Sequence, residues 1–500
     1  MASRPARTQA TFTSSRTGLP RHDILVWLIP SLWTVTLGLW GLSRQDSLWR
    51  DEAATWQVAR RSTAEICRML GNVDVVHGGY YLFMHAVFEC FGPSTTALRL
   101  PSVLAMGVAA ACVAVIGHRL AGMRTGLAGG MAFGLLPAVQ FHLQEGRPYA
   151  LVAAGAAIST LLLVTGLRRP VRTPHWAAYG ATVLVIGLLN WLSLLILPAH
   201  LVTLLLARAG RGVRTRWAVA AAAATVCVLP LILFSRGQSA QVSWIPPLTW
   251  HMLIAPAVLL ATGGVGALLD RPLRAGRLSV AAVGLPLLAL PQLALVGLSL
   301  VRPLFLDRYV LFSFLGLALL IGAIVDSAVR AVRPRLPRAA QWILPVVVAA
   351  ATAALLPQSL AKRSPASRVD DVLAIASDVR RLKRTGNAVL FVPAARRDTK
   401  SVSPHAFAGL RDIALTESPE QSGTLKGVEA DPDRIRADML THRRILLVTD
   451  ADQVAGPVTA ERDRMKTAVL KQYFTAVADE QVRGRRVTVY ERRVGSDGHH

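Results

Sequence analysis

Eleven apolar runs, each close to the length that crosses a lipid bilayer, constrain this chain more than any other feature of its sequence. A membrane-spanning helix needs about 20 consecutive apolar residues. The sequence therefore predicts a polytopic α-helical membrane protein with about eleven transmembrane helices and at most thirteen. The predicted spans are 24–42, 97–117, 126–142, 148–167, 176–190, 192–208, 217–235, 251–269, 279–300, 309–328 and 339–357.

Two details of this pattern leave alternatives open. Only Asn190 and Trp191 separate the fifth and sixth runs, so these runs form either a tight hairpin or one kinked element. A further apolar run at 79–92 is about fourteen residues long and contains His85 and Glu89. A run of that length is more typical of an interfacial or re-entrant segment than of a span.

The arginines test whether the run at 79–92 crosses the membrane. If it does not cross, the short loops on one side hold twenty arginines and those on the other side hold four. If it crossed, the later loops would change sides and this positive-inside bias would be lost. The sequence thus predicts a multi-pass protein of the cell membrane, with a cytoplasmic N-terminus and an extracytoplasmic C-terminal domain.

The formal net charge of +25, from 55 Lys and Arg against 30 Asp and Glu, fits either a nucleic-acid binder or a membrane protein. Much of the surplus lies in the predicted cytoplasmic loops, and no basic stripe interleaved with aromatic residues appears, so no nucleic acid is expected as a partner. Four cysteines without a CxxC pair argue against a zinc ribbon or a disulfide scaffold. Cys67 and Cys90 share one outward loop, which leaves a disulfide between them open.

Three regions follow from these patterns. They are a cytoplasmic tail (1–23), a transmembrane domain (24–357) whose first outward loop covers about 43–96, and an extracytoplasmic region (358–500). The last region alternates helical and strand patterns, which predicts a soluble α/β domain. Its predicted helices are 367–383, 433–442 and 460–472, and its predicted strands are 388–392, 445–448 and 486–491.

Adjacent carboxylates, Asp51 and Glu52, follow the first span at what reads as the start of a helix. A carboxylate at the membrane boundary in a partly dry site is suited to act as a general base. Acidic residues also favour the first turn of a helix, where they interact with its positive end. The pair alone does not decide between these two roles.

The blocks that follow resemble a known family. They are His77-Gly78-Gly79-Tyr80-Tyr81, Gly92-Pro93-Ser94, Arg99-Leu100-Pro101-Ser102, Gln144-Glu145-Gly146-Arg147-Pro148-Tyr149-Ala150-Leu151 and Arg308-Tyr309. Their order and common outward side, after the acidic pair, resemble the GT-C class of integral-membrane glycosyltransferases. The resemblance is strongest to glycosyltransferase family 39, the protein O-mannosyltransferases and the aminoarabinose transferases. Relatives often have two prolines where this chain has Gly78 and Gly79, which leaves the acceptor type open.

The resemblance implies a polyprenyl-phosphate sugar as donor and the lipid bilayer as a partner. Asp51 would deprotonate an acceptor hydroxyl for inverting attack, and Arg147 and Arg308 would bind the lipid phosphate. Either arginine is equally compatible with snorkelling at a helix end. Glu52, a second catalytic candidate, and Glu145 would position the acceptor, hold Asp51 or serve the structure alone.

Aromatic and histidine side chains complete the expected pocket, although interfacial tyrosines and tryptophans commonly serve as membrane anchors. These further candidates are His77, Tyr80, Tyr149, Tyr309 and Trp244.

The function expected from the sequence is transfer of a sugar, mannose by family resemblance, from a polyprenyl-phosphate carrier to an acceptor hydroxyl on the outer face of the membrane. The acceptor is not identified. No cofactor is expected, and no motif indicates a metal site, although a divalent metal stays open. The alternatives are a transporter or flippase of lipid-linked sugars, or a non-catalytic envelope scaffold. Transporters tend to carry ionisable residues at mid-membrane and internal repeats, and neither pattern is evident.

Overall fold

The computed structural model describes residues 21–238, 244–270, 278–384 and 386–493, with side chains from residue 24 onward. The predicted cytoplasmic tail thus lies almost wholly outside the described residues. Within them, a helical segment is present at each of the eleven predicted apolar runs. Seven of the described helices are long and apolar enough to cross a membrane, and shorter apolar helices accompany them. The chain is therefore a polytopic helical membrane protein.

The helices up to residue 363 are α1 (Arg21–Leu39), α2 (Arg50–Ala59), α3 (Thr63–Asn72), α4 (Gly78–Phe91), α5 (Thr95–Ala121), α6 (Met123–Leu135), α7 (Pro137–His142), α8 (Tyr149–Arg168), α9 (Thr173–Leu189), α10 (Ile196–Leu206), α11 (Arg211–Gly237), α12 (Ile254–Leu269), α13 (Val280–Val301), α14 (Phe314–Val332), α15 (Pro337–Ala340) and α16 (Ile343–Arg363).

Two predicted runs have interruptions with local causes. The run at 126–142 is divided into α6 and α7 because Leu136, which precedes Pro137, leaves the helical conformation (ψ 129°). Asn190 is extended and separates α9 from α10, and its side chain accepts a hydrogen bond from the backbone N–H of Leu192 (3.1 Å). Tyr179 of α9 hydrogen-bonds to His200 of α10 (2.8 Å), so the two helices form the hairpin rather than one kinked element.

The first loop contains α2, α3 and α4, and it contacts the C-terminal region directly. Arg61 donates to the carbonyl of Thr424 (2.8 Å), and Asn72 donates to that of Gly423 (3.2 Å). Segments that touch in this way lie on one side of the membrane, so the chain crosses an even number of times between them. Ten of the eleven predicted runs lie between them, from α5 to α16, and they satisfy this condition if each one crosses, whereas an additional crossing by α4 would break it. The contacts therefore agree with the prediction that α4 does not span.

The C-terminal region is a small α/β domain. Its helices are α17 (Ala376–Leu382), α18 (Asp398–Val402), α19 (Pro432–Thr441) and α20 (Glu461–Tyr473). Its strands are β1 (Ala388–Val392), β2 (Arg411–Asp412), β3 (Leu415–Glu417), β4 (Val428–Glu429), β5 (Arg444–Asp450), β6 (Phe474–Val482) and β7 (Arg485–Arg492).

Five of these strands form one sheet in the order β2-β1-β5-β7-β6, and β3 pairs with β4 in a separate ribbon. The strands β2, β1 and β5 are parallel, whereas β7 runs antiparallel to both β5 and β6. The parallel strands β1 and β5 are buried along most of their length, as expected for strands covered on both faces.

The predicted helix at 367–383 is wrong over its first half. Within that range, the α-helix is α17, which begins only at Ala376. Asp370 and Asp371 instead direct their carboxylates to backbone N–H groups of the first loop, and such side-chain bonds compete with helix formation. The strand β6 was not predicted, since most of its side chains are exposed and polar or small. Cys67 and Cys90 are both unpaired and exposed, so the open possibility of a disulfide is not realised.

Candidate active site

The helix α2 directs the two adjacent carboxylates to different surroundings. Asp51 and Glu52 both lie in its first turn. Successive residues of an α-helix point about 100° apart. The Asp51 side chain keeps 22% of its surface exposed, whereas that of Glu52 is completely buried. The two adjacent acids therefore occupy one partly exposed and one interior position.

Asp51 forms an ion pair with Arg308, whose Nη1 donates to its Oδ2 at 2.9 Å. Arg147 approaches from the other side and donates Nη1 to the Asp51 backbone carbonyl (3.4 Å). Two arginines predicted from distant blocks thus meet the same residue. The Arg308 guanidinium also lies over three aromatic rings: Tyr149 (5.7 Å), Trp244 (5.7 Å) and Tyr309 (6.0 Å).

His77 links Arg147 to a partly buried acid, Asp74. The Nη2 of Arg147 lies 2.9 Å from His77 Nε2, and His77 Nδ1 lies 2.6 Å from Asp74 Oδ1. Because a guanidinium can only donate, Nε2 is the acceptor and the proton resides on Nδ1. Burial lowers the pKa of His77, and Arg147 lowers it further against the opposing effect of Asp74. His77 is therefore a neutral imidazole that orients Arg147 at neutral pH.

Glu52 is enclosed by two arginines. Arg99 makes a bidentate contact, from Nε to Oε1 and from Nη2 to Oε2, both at 2.7 Å. Arg44 donates to Oε2 at 2.7 Å, and the backbone N–H of Gly146 donates to Oε1 at 3.0 Å. Burial acts to raise the pKa of Glu52, but Arg99 and Arg44 outweigh it and lower that pKa to about 2. The acid joins α2 to the start of α5 and to the loop before α8.

Glu145 and Tyr80 also lie behind the exposed residues. Glu145 is 1% exposed and contacts His142, while its backbone carbonyl accepts a hydrogen bond from Ser102 (2.6 Å). Tyr80 is fully buried, and its hydroxyl has no hydrogen-bond partner within the described part of the chain. Both residues therefore lie in the interior, and the contacts of Glu145 hold the loop before α8. The side chains brought together at the front are Asp51, His77, Arg147, Tyr149, Trp244, Arg308 and Tyr309.

Sequence reasoning did not assign a role to Asp74, Arg44 or Arg99. Asp74 lies three residues before His77, and Arg99 heads a span, so both had a local signal in spacing or position. The pairing of Arg44 with Glu52 depends on tertiary packing and had no such signal. Across the described ranges, no group of three or more His, Cys, Asp or Glu side chains is placed to hold a metal ion.

The C-terminal domain holds the N-terminal end of α2. Asp370 accepts hydrogen bonds from the backbone N–H of Arg50 (3.1 Å) and from its Nε (3.2 Å). Asp371 accepts from the backbone N–H of Leu48 (3.1 Å), and the N–H of Val372 donates to the Leu48 carbonyl (2.6 Å). Trp49, at the N-cap position, provides no side-chain cap. We call residues 370–372 the strap, because this segment caps the helix that presents Asp51.

Substitution of Asp370 with asparagine is expected to loosen the first turn of α2. The variant keeps the shape but loses the charge that strengthens the bonds to Arg50, and such bonds are worth about 1.5–3 kcal/mol. Amide hydrogen exchange in the peptide covering 49–59 should accelerate by roughly tenfold or more. Asp431→Asn, at a carboxylate whose side chain is 91% exposed, is the control. Unchanged exchange in Asp370→Asn would show that the strap does not stabilise α2.

The sequence matches no family model and no curated protein. Among solved structures, ArnT from Cupriavidus metallidurans in the apo state aligns with a TM-score of 0.57 at 14% identity, over 93% of this chain and 96% of that one. The same protein bound to undecaprenyl phosphate gives 0.52 at 12% identity, with the same coverage. The oligosaccharyltransferase AglB from Archaeoglobus fulgidus gives 0.48 at 11% identity, over 91% and 72% of the two chains. The likeness to ArnT, at these identities, is one of fold alone: the two chains share an overall architecture, as the motif resemblance led us to expect.

Proposed function

We propose that this protein is a GT-C glycosyltransferase that moves a sugar from a polyprenyl-phosphate carrier to an acceptor hydroxyl. The observation that carries the proposal is the meeting of Asp51 with Arg308 and Arg147 at the end of the helix bundle where the C-terminal domain also lies. A partly exposed carboxylate beside two arginines suits a proton acceptor next to a phosphate site. The neighbouring fold with undecaprenyl phosphate bound supports a polyprenyl carrier.

In the proposed reaction, Asp51 accepts the proton of the acceptor hydroxyl while its oxygen attacks the anomeric carbon. The bond from that carbon to the phosphate oxygen breaks on the opposite face, so the configuration inverts. The lipid phosphate leaves with one additional negative charge. A fixed positive group aimed at that developing charge stabilises the transition state. No step of this scheme passes through a metal ion or a cofactor.

Arg308 is suited to bind the lipid phosphate while it keeps its ion pair with Asp51. It uses one nitrogen, Nη1, on Asp51, and a guanidinium carries five N–H donors in all. The planar guanidinium can therefore contact the carboxylate and a phosphate oxygen at once. Arg147, fixed by neutral His77, supplies a second positive charge. Tyr149, Tyr309 and Trp244 surround Arg308. Tyr149 is buried beneath it, whereas Trp244 and Tyr309 keep exposed surface on which a sugar ring can pack.

Glu52 and Glu145 receive positioning roles in this proposal. Each is buried, so neither carboxylate meets a bound acceptor, but Glu52 fixes α2 to the loop at Gly146. That contact sets the distance between Asp51 and Arg147. We infer mannose as the transferred sugar from the resemblance of the motifs to the protein O-mannosyltransferases.

The test uses purified full-length protein in lipid nanodiscs with radiolabelled polyprenyl-phosphate mannose and, in parallel, polyprenyl-phosphate glucose. Release of polyprenyl phosphate coupled to labelled product is the expected result, with mannose preferred. Preference for glucose would overturn the sugar assignment alone. Movement of the intact labelled lipid across proteoliposomes without any transfer would favour the transporter. Neither transfer nor transport would leave the scaffold as the better description.

Orientation is tested separately by cysteine labelling in intact cells. The arginine distribution predicts that the C-terminal domain faces outward and that the loop before α9 faces the cytoplasm. A membrane-impermeant maleimide should therefore label Ala476→Cys on the exposed side of β6 but not Thr173→Cys. The background chain has Cys67, Cys90 and Cys227, which are exposed, replaced by serine. The reverse labelling pattern would contradict the proposed orientation.

A further inference from the structure

A large groove opens in the C-terminal domain, with a volume of about 1240 Å³. Its floor includes Leu447 and Thr449 of β5 and Thr488 and Tyr490 of β7, which lie on one face of the sheet. The loop 450–460 and the beginning of α20 form its outer wall. This volume exceeds that of most small-molecule pockets, so the groove has room for a ligand built from several linked small units, such as a short oligomer.

The topology explains why a groove forms there. The strands β1 and β5 are adjacent and parallel, but the chain leaves β1 towards β2 on one side and leaves β5 towards β6 and β7 on the other. Loops that diverge from the carboxyl ends of adjacent parallel strands leave a crevice, which is where open α/β sheets bind ligands. The groove contains the segment after β1 (393–396) and, after β5, Asp452.

One wall of the groove belongs to the helix of the candidate base. Arg50, the residue before Asp51, lines the groove, and its backbone and side chain are both held by Asp370 of the strap. Asp370 is in turn paired with Arg485 of β7 at 2.9 Å. The groove and α2 are therefore tied together by two ion pairs that share the buried Asp370, and a ligand in the groove reaches the residue next to Asp51.

The charges in the groove favour an uncharged ligand. Five basic and five acidic side chains line it, so it carries no net charge. Several are already paired across it, as Arg396 is with Asp450 (2.6 Å) and Arg486 with Asp452 (2.7 Å). The first turn of α20 carries Glu461 and Asp463, which oppose a phosphate at that helix end. Nucleotides and phosphorylated ligands are therefore disfavoured.

The groove also lacks the features that capture an extended peptide. A peptide commonly adds a strand to an open sheet edge. The strands β5 and β7, however, have hydrogen-bonded neighbours on both sides. The lining instead combines paired carboxylates and guanidiniums, the hydroxyls of Thr449 and Thr488, and the ring of Tyr490. Such groups exchange hydrogen bonds with vicinal hydroxyls, while the ring packs against the apolar face of a sugar.

We propose that this groove binds a neutral oligosaccharide as the acceptor and directs its end towards Asp51. The role of the oligosaccharide as acceptor rests on the proposed transferase function. The binding of a saccharide in the groove does not depend on that function. In this arrangement the C-terminal domain selects the acceptor and the membrane domain supplies the donor.

The test measures binding to the full chain in nanodiscs by saturation-transfer NMR and titration calorimetry, with mannotetraose and maltotetraose as probes. Tetraalanine and uridine diphosphate serve as the peptide and anion comparisons. Arg462→Ala removes an exposed side chain that lines the groove, and Tyr490→Leu removes its aromatic ring. Arg464→Ala, an exposed arginine on the same helix outside the groove lining, is the matched control.

A tetrasaccharide is expected to bind the wild type, Arg464→Ala and Asp51→Asn alike, and to bind Arg462→Ala and Tyr490→Leu about three- to tenfold more weakly. In the transfer assay the same two variants should raise the acceptor KM with little change in kcat. Preferential binding of tetraalanine or uridine diphosphate, or equal saccharide binding by all variants, would overturn the proposal. Saccharide binding without transfer from any lipid donor would refute the transferase function but retain the site.

Discussion

Replacing Asp51 with asparagine is expected to lower the rate of sugar transfer by about 10²- to 10⁴-fold, the usual contribution of a general base. The amide preserves the size of the side chain and, through Oδ1, an acceptor for Arg308, but it does not take up the proton of the attacking hydroxyl. The loss should therefore appear in kcat, while the KM for the lipid donor changes little. The measurement is the initial rate with radiolabelled polyprenyl-phosphate sugar and a saturating acceptor.

The matched control for that substitution is Glu89→Gln. It makes the same carboxylate-to-amide change on the exposed side of α4, in the same loop. Its rate should equal that of the wild type. An Asp51→Asn variant that is folded and transfers sugar at the wild-type rate would remove Asp51 from the reaction and leave the chemistry without a base.

The membrane domain was predictable because its signal is local. Each predicted span is recognisable from an apolar run of the length that a bilayer requires. The distribution of the arginines favoured a segment 79–92 that does not cross the membrane over one that does. The contact of Arg61 with Thr424, 363 residues apart in sequence, then supports the same reading by an independent geometric route. Hydrophobic length and loop charge are properties of a single segment, so no knowledge of the tertiary fold is needed to use them.

The sequence predicted the residues that meet at Asp51, but not the buried residues that hold them in place. Asp51, Arg147 and Arg308 were selected because the blocks that contain them resemble those of a known family, and the structure brings all three together. The sequence left three roles open for Glu52: positioning the acceptor, holding Asp51 or serving the structure alone. Only the pairing with Arg44 and Arg99, from separate segments, shows that it is an interior residue. Such long-range pairs leave no periodic pattern to read.

The strap shows the opposite kind of failure, in which a local pattern misleads. Residues 367–383 carry a helical spacing of apolar residues. Asp370 and Asp371 nevertheless lie outside any helix and accept hydrogen bonds from backbone N–H groups at the start of α2. Each carboxylate also pairs with an arginine of the β6–β7 hairpin, Arg485 for Asp370 and Arg483 for Asp371. A tertiary demand for charged acceptors at a helix N-terminus thus outweighs intrinsic propensity.

Replacing Glu52 should have the largest effect on stability. Removing one member of a buried ionic cluster leaves the remaining charges uncompensated, which costs about 3–5 kcal/mol. Glu52→Gln leaves Arg44 and Arg99 buried with no carboxylate between them. We expect a clearly lower midpoint of thermal unfolding in nanodiscs, together with loss of transfer, because α2 is no longer fixed to Gly146. Glu89→Gln is again the control and should unfold like the wild type.

The pH dependence of unfolding provides a second readout for the Glu52 cluster. The two arginines lower the pKa of Glu52 to about 2 in the folded state, against about 4.3 for an unperturbed glutamate. The folded protein therefore favours the ionised acid. The corresponding stabilisation is fully present above about pH 5 and is lost as the pH falls towards 2. The difference in unfolding stability between the wild type and Glu52→Gln should narrow over that interval.

A double-mutant cycle tests the pairing itself. Glu52→Gln and Arg99→Gln together should lower the free energy of unfolding by less than the sum of the two single changes. Additive costs, or a Glu52→Gln midpoint equal to that of the control, would show that the cluster does not hold the site together.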